Sequence, residues 1–148
     1  MTMHTDQQAS TPWLLTFAAW LIAATATLSA LFLGEIVGLP ICSMCWYQRI
    51  FMFPLAVILP FGLFPDLDRR LIRAGLALAA IGLLLALYHQ GIVSGIVPER
   101  IQPCRQGIPC SETVATWFGF ITIPLLSIAA FTTLVALLGA ALYRSRSS

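Results

Sequence analysis

The sequence contains no lysine and few charges of any kind: six acids and eight arginines in 148 residues. Charged side chains make up 9% of the chain, where about 25% is typical of soluble domains. So few cannot cover the surface of a water-soluble fold of this size, which argues against a cytosolic globular enzyme. The net charge of +2 lacks the basic excess that nucleic-acid binding needs. Disorder is excluded by an apolar content of 59%, above the usual range of about 45–50%. What remains is a membrane protein.

The absences are also local. No Asp, Glu, Lys or Arg occurs from Gln7 to Gly34, from Ala74 to Pro98, or from Thr113 to Tyr143. Each run exceeds the roughly 20 residues that cross the hydrocarbon as helix. A fourth apolar stretch, between Glu35 and Asp66, is broken only by Arg49. The expected spans are 13–35, 41–64, 74–97 and 114–142 within a single domain, 1–148. Helices close their own backbone hydrogen bonds, so the predicted fold is all-α, a four-helix transmembrane bundle. Residues 1–12 carry no Lys or Arg and the first apolar run is longer than a signal-peptide core, so it is read as a retained helix. Four spans place both termini and the 65–73 loop on one side, with Arg69, Arg70, Arg73, Arg144 and Arg146. The opposite loops hold Arg100 and Arg105. The positive-inside rule then makes the termini cytoplasmic, in the cell (inner or plasma) membrane.

With that orientation all four cysteines face the extracytoplasmic side, in or beside the loops 36–41 and 98–113. Cys42 and Cys45 open the second span; Cys104 and Cys110 lie in the longer loop. An even number of thiols in an oxidising compartment suggests disulfides. The Cys42/Cys45 spacing is that of thiol–disulfide oxidoreductases. Pro40 suits a helix start and would place Cys42 in the first turn, where free amides and the dipole favour a thiolate. Arg49 follows Cys45 by one turn on the same face, where a cation lowers a thiol pKa. Two buried small hydrophobes, or half a zinc site, are the plain alternatives; haem attachment is disfavoured because Trp46, not His, follows the motif. Cys104 and Cys110, with Gly107 and Pro109 to make the turn, form either a passive staple or an exchanging pair.

Arg49 sits at membrane depth, where a charge costs at least about 2.5 kcal/mol unless it snorkels to the interface. It lies nine residues after Pro40, and His89 nine before Pro98. At the helical rise both are ~13 Å inside their spans. An Arg and a His in one layer, flanked by Gln48, Tyr88 and Gln90, suit a ligand with carbonyl oxygens, although a membrane His also serves helix packing. Gly91 and Gly95 form a small-xxx-small pair expected to pack helices. Trp13, Trp46, Tyr47, Trp117 and Tyr143 fall near span ends as interfacial aromatics. Pro54, Pro60 and Pro124 are expected kinks.

The run Cys42-Ser-Met-Cys-Trp-Tyr-Gln-Arg49, the Cys104/Cys110 pair and the segment Trp-Phe-Gly-Phe-Ile-Thr-Ile-Pro-Leu-Leu-Ser over 117–127 resemble the DsbB/BdbC family of disulfide-forming membrane proteins. The resemblance covers nearly the whole chain. It implies a protein thiol oxidase with Cys42, Cys45, Cys104 and Cys110 as its redox centres. A thioredoxin-like oxidase of the DsbA or BdbD type would attack the outer pair, at Cys104. Cys110 would exchange with Cys42, and Cys45 would be freed beside a membrane quinone, ubiquinone or menaquinone. Arg49 matches the family's arginine next to the quinone, and His89 resembles a polar residue placed near it. Five residues separate Cys104 from Cys110; the DsbB branch has a longer outer loop, so the resemblance is closer to BdbC and leaves the order of exchange open.

Two other readings fit the same residues. Four thiols converging tetrahedrally would make a zinc-binding or structural tetraspan, though such a site needs neither a deep arginine nor a histidine. A quinone-linked enzyme of the vitamin K epoxide reductase type shares the chemistry, but here the Cys-x-x-Cys opens the second span instead of lying in the last.

Overall fold

The computed structural model describes residues 3–38, 41–64, 66–98 and 123–146. Cys104, Cys110 and Trp117, and with them the expected 98–113 loop and the start of the fourth span, lie almost wholly outside those residues. The described residues form four helices and no strand: α1 (Met3–Leu31), α2 (Ser43–Leu63), α3 (Arg69–Val93) and α4 (Ile123–Arg144). All four are long and apolar enough to cross a membrane, the first from Thr11. The chain is an all-helical, multi-pass membrane protein.

The helices pack in a ring, α1 on α2, α2 on α3, α3 on α4, and α4 back on α1. Their buried positions recur at three and four residues, the period of one helical face. In α3 these are Ile72, Gly75, Ala79, Gly82, Ala86 and His89; in α2 they are Met44, Gln48, Met52, Leu55 and Leu59. Between helices in lipid the attraction is van der Waals contact, so small residues matter because they bring backbones close. Gly75 lies against Leu55, Leu59 and Leu138, and a Cβ at Gly82 would collide with the Phe131 ring. The expected packing pair is different: a Cβ at Gly91 would meet only Val97, at 3.4 Å, and one at Gly95 nothing. Gly95 instead ends α3, with φ 74°. Its N–H bonds the Ile92 carbonyl at 3.1 Å and the Ile96 N–H bonds that of Gly91 at 3.0 Å, the Schellman closure that needs a left-handed residue.

The prolines also divide. Pro60 lies inside α2 and cannot donate to Ala56 four residues back. The Trp20 indole N–H of α1 takes that place, 3.1 Å from the Ala56 carbonyl oxygen. Pro124 is the second of the described residues of α4, so the segment that would show a kink there lies outside the described residues. Asp68 caps α3 by accepting from the Arg70 N–H at 2.8 Å, so α3 begins five residues before the expected span. Trp46, Tyr47 and Tyr143 are exposed; Trp13 stacks on Phe17, with ring centroids 5.2 Å apart.

Candidate functional site

The site is built where α1 ends and α2 begins. After Leu31 the α1 helix widens into a π-helical turn, Phe32–Ile36, closed by the Val37 N–H on the Phe32 carbonyl at 3.1 Å. Such turns carry one extra residue and recur at functional sites. This one presents Gly34 to α2: a Cβ there would stand 2.7 Å from Ile41 Cδ1 and 2.9 Å from Arg49 Nη2. A larger residue here would push the guanidinium or the Ile41 side chain from its present place.

Cys42 does not occupy the first turn of α2. It is the N-cap, in extended conformation (φ −72°, ψ 161°), and its Sγ accepts from the Cys45 N–H at 3.4 Å. A sulfur thus fills the role that Ser or Asp oxygens usually play, satisfying one of the free amides of the helix start. The two Sγ atoms are 2.8 Å apart and both cysteines are free. Cys42 is buried, at 1% exposure, and Cys45 half-buried. The Cys45 thiol, the Cys45 amide and His89 all approach the Cys42 sulfur. The helix start thus serves Cys42, as the sequence led one to expect of its free amides, while Arg49 stands on the cavity side with Cys45.

His89, 2% exposed, stands behind Cys42 on α3, with Nε2 3.8 Å from Cys42 Sγ. Its Nδ1 is 3.1 Å from the Gln48 side-chain amide, itself 6% exposed. Thus Cys42, Cys45 and His89 come together, with their Sγ and Nε2 or Nδ1 atoms all within 4.8 Å of one another. Arg49 shares the same level of the bundle but faces the other way. Its Nη2 donates to the Ala30 carbonyl oxygen at 2.6 Å, and the guanidinium lies 5.4 Å from the Trp46 ring centre. It is held at the α1–α2 seam, between Ala30 and Trp46.

Between α1, α2 and α4 lies a cavity of about 240 Å³. Cys45, Gln48 and Arg49 give it a polar end on α2; apart from Ser29 and Ser127 the rest of the lining is apolar, Ala26, Met52, Phe53 and Phe131 among it. An apolar slot with a guanidinium, an amide and a thiol at one end fits a flat ring bearing carbonyl oxygens. No residue of α3 lines it, so of the two residues expected beside a quinone, Arg49 is in the wall and His89 is not. Sequence reasoning missed Gly34 and the α4 wall at Leu126, Ser127 and Phe131. A glycine within an otherwise apolar helix end was the one available sign of the former; the latter resembles any membrane face.

Comparison with known proteins follows the same lines. The family model described as "Disulfide bond formation protein DsbB" matches residues 11–141. A "Probable disulfide formation protein" of Metapseudomonas resinovorans is 41% identical over 89% of this chain and 92% of its own. "Disulfide bond formation protein C" of Bacillus subtilis is 40% identical over 80% of this chain and 86% of its own. A "Probable disulfide formation protein C 2" of Bacillus cereus is 38% identical over 81% and 85%. No solved structure matches the chain.

Proposed function

Because the chain belongs to the DsbB family of disulfide bond formation proteins, we propose that it reoxidises a thioredoxin-like oxidase outside the membrane and delivers the electrons to a membrane quinone. It is a membrane thiol oxidoreductase; the partner, the acceptor and the sidedness are the proposal. In that reading both termini are cytoplasmic and all four cysteines face outward in the cell membrane. The reduced partner, of DsbA or BdbD type, attacks the Cys104–Cys110 disulfide at Cys104. The mixed disulfide is resolved as the partner's second thiol pairs with its first, leaving Cys104 and Cys110 as thiols. Cys110 then attacks the Cys42–Cys45 disulfide at Cys42, and Cys104 displaces Cys42 to restore the outer bond.

The inner pair is left reduced, with two electrons and two protons to lose. Ubiquinone or menaquinone bound in the cavity supplies a two-electron, two-proton acceptor. Arg49 and Gln48 are placed to hold its carbonyl end, and Gly34 keeps the guanidinium in its position. His89 lies on the far side of Cys42, with Nε2 3.8 Å from its Sγ, and Gln48 holds the ring at Nδ1. The observation that carries the reading is the joint presence of Cys45 and Arg49 at the polar end of an apolar cavity inside a membrane bundle. Purified protein, given a reduced thioredoxin-fold donor and a soluble quinone, should reduce the quinone in step with donor oxidation. Donor oxidation without quinone reduction would remove the quinone from the proposal.

A further inference from the structure

Cys42, Cys45 and His89 are described above as a redox pair and its neighbour, yet their donor atoms have a second chemistry. We infer that, in the reduced state, Cys42 Sγ, Cys45 Sγ and His89 Nε2 form a three-ligand site for a soft divalent cation of the zinc type, and that its occupation holds the inner pair reduced. Two thiolates and an imidazole are a preferred zinc donor set, and three protein ligands with one open position are the pattern of exchangeable sites. Zinc bond lengths place tetrahedral sulfur and nitrogen ligands roughly 3.6 Å apart and two sulfurs roughly 3.8 Å apart. The Cys42–His89 separation is 3.8 Å, already at that value. The sulfurs, at 2.8 Å, must part by about 1 Å, which a small rotation of the half-buried Cys45 side chain provides.

Charge supports the assignment. A lone thiolate in this buried place is costly, whereas two thiolates and one divalent cation sum to zero. Arg49, on the cavity side of Cys45, opposes any net positive site and favours an anionic fourth ligand such as chloride over water. The other ring nitrogen of His89 has a side chain beside it as well. A metal at Nε2 requires the proton on Nδ1 and an acceptor for it, and Gln48 stands 3.1 Å from Nδ1. Its amide offers a nitrogen donor to one tautomer and, turned over, an oxygen acceptor to the other. Neither Cys104 nor Cys110 is needed, nor is a quinone. The inference is thus independent of the proposed electron acceptor, and the metal enters by whatever outer route thiol exchange uses.

The test uses full-length protein in detergent with Cys104→Ser and Cys110→Ser, reduced with a phosphine and titrated with Co²⁺ as probe. One Co²⁺ per chain should bind with thiolate-to-cobalt charge-transfer absorption, be displaced by Zn²⁺, and fail to bind once the inner pair is oxidised. His89→Ala should weaken binding at least tenfold, and Gln48→Glu, a stronger acceptor for Nδ1–H, should tighten it several-fold. His89→Cys restores a soft ligand and should recover the metal with a third thiolate in the spectrum. Absence of the absorption overturns the site, as does an affinity indifferent to His89→Ala. Binding that appears only when Cys104 and Cys110 are restored would assign the metal to a four-thiol site instead.

Discussion

The indole N–H of Trp20 lies 3.1 Å from the carbonyl oxygen of Ala56, the one that Pro60 leaves without a helical donor. In lipid no water can replace that donor, so a side chain of the neighbouring helix does so. The contact ties α1 to the middle of α2, below the level at which Arg49 reaches Ala30 on the same helix. The two bonds hold the α1–α2 seam on which the cavity depends.

Trp20→Phe keeps the ring and removes the donor, and the stranded carbonyl should cost about 1–3 kcal/mol of stability. Pro60→Ala restores the helical bond, so Trp20→Phe made on that background should cost much less. Thermal unfolding of the two single variants and the double variant in detergent gives the coupling. Strict additivity would mean that the indole bond is incidental to the proline.

A second stability test concerns close packing. Gly82→Ala drives a methyl into the Phe131 ring, and overpacking of this kind costs about 1–3 kcal/mol. Gly91→Ala, with only Val97 at 3.4 Å, should be close to neutral. Phe131→Leu on the Gly82→Ala background should recover part of the loss. Equal effects at Gly82 and Gly91 would contradict the contact.

That contrast shows how far the sequence could be read. Three charge-free runs and a fourth broken only by Arg49 give the four spans, because the bilayer leaves few other structures open to them. The Cys42/Cys45 spacing and Arg49 are likewise visible in one dimension. Which glycine packs and which caps is not, because that depends on where α3 ends and on what stands opposite Gly82 and Gly95 in the fold. His89 and Arg49 share a level by simple counting, but their facing depends on which side of α2 each neighbour occupies. The π-helical turn at Phe32–Ile36 shifts Gly34 onto Arg49 by adding a residue to the turn, and no spacing rule announces it.

The proposed sidedness has a direct check. After reduction, a membrane-impermeant thiol reagent added outside intact cells should label Cys104. A cysteine introduced at Asp68 in a background without the native cysteines should react only after the membrane is opened. The motive is the distribution of arginines, five on the side of the termini and two in the opposite loops. The reverse labelling pattern would invert the bundle.

Division of labour between the two pairs is tested by Cys104→Ser. It should abolish oxidation of a thioredoxin-fold donor while sparing oxidation of a small dithiol by the Cys42–Cys45 pair. If donor oxidation persists at its full rate, the outer pair is a loop staple.

Arg49 and Gly34 supply the last prediction, since one sets the position of the other. The Arg49 guanidinium is fixed by the Ala30 carbonyl at 2.6 Å and by the Trp46 face, with its remaining N–H groups free to serve the cavity. In an apolar slot, a charged donor to a carbonyl oxygen is worth about 1.5–3 kcal/mol, so Arg49→Gln should raise the quinone concentration for half-maximal turnover roughly 10- to 100-fold. Arg49→Lys keeps the charge but not the planar fork, and should fall between the two. Gly34→Ala tests the same geometry with Arg49 intact, because the new methyl meets Nη2 at 2.9 Å and must displace it. It should weaken quinone use while leaving exchange between the inner pair and a small dithiol unchanged. Quinone dependence of turnover for the three variants, read beside single-turnover dithiol exchange, separates binding from thiol chemistry. Curves that superimpose on the unmodified protein's would reduce Arg49 to a structural tie between α1 and α2.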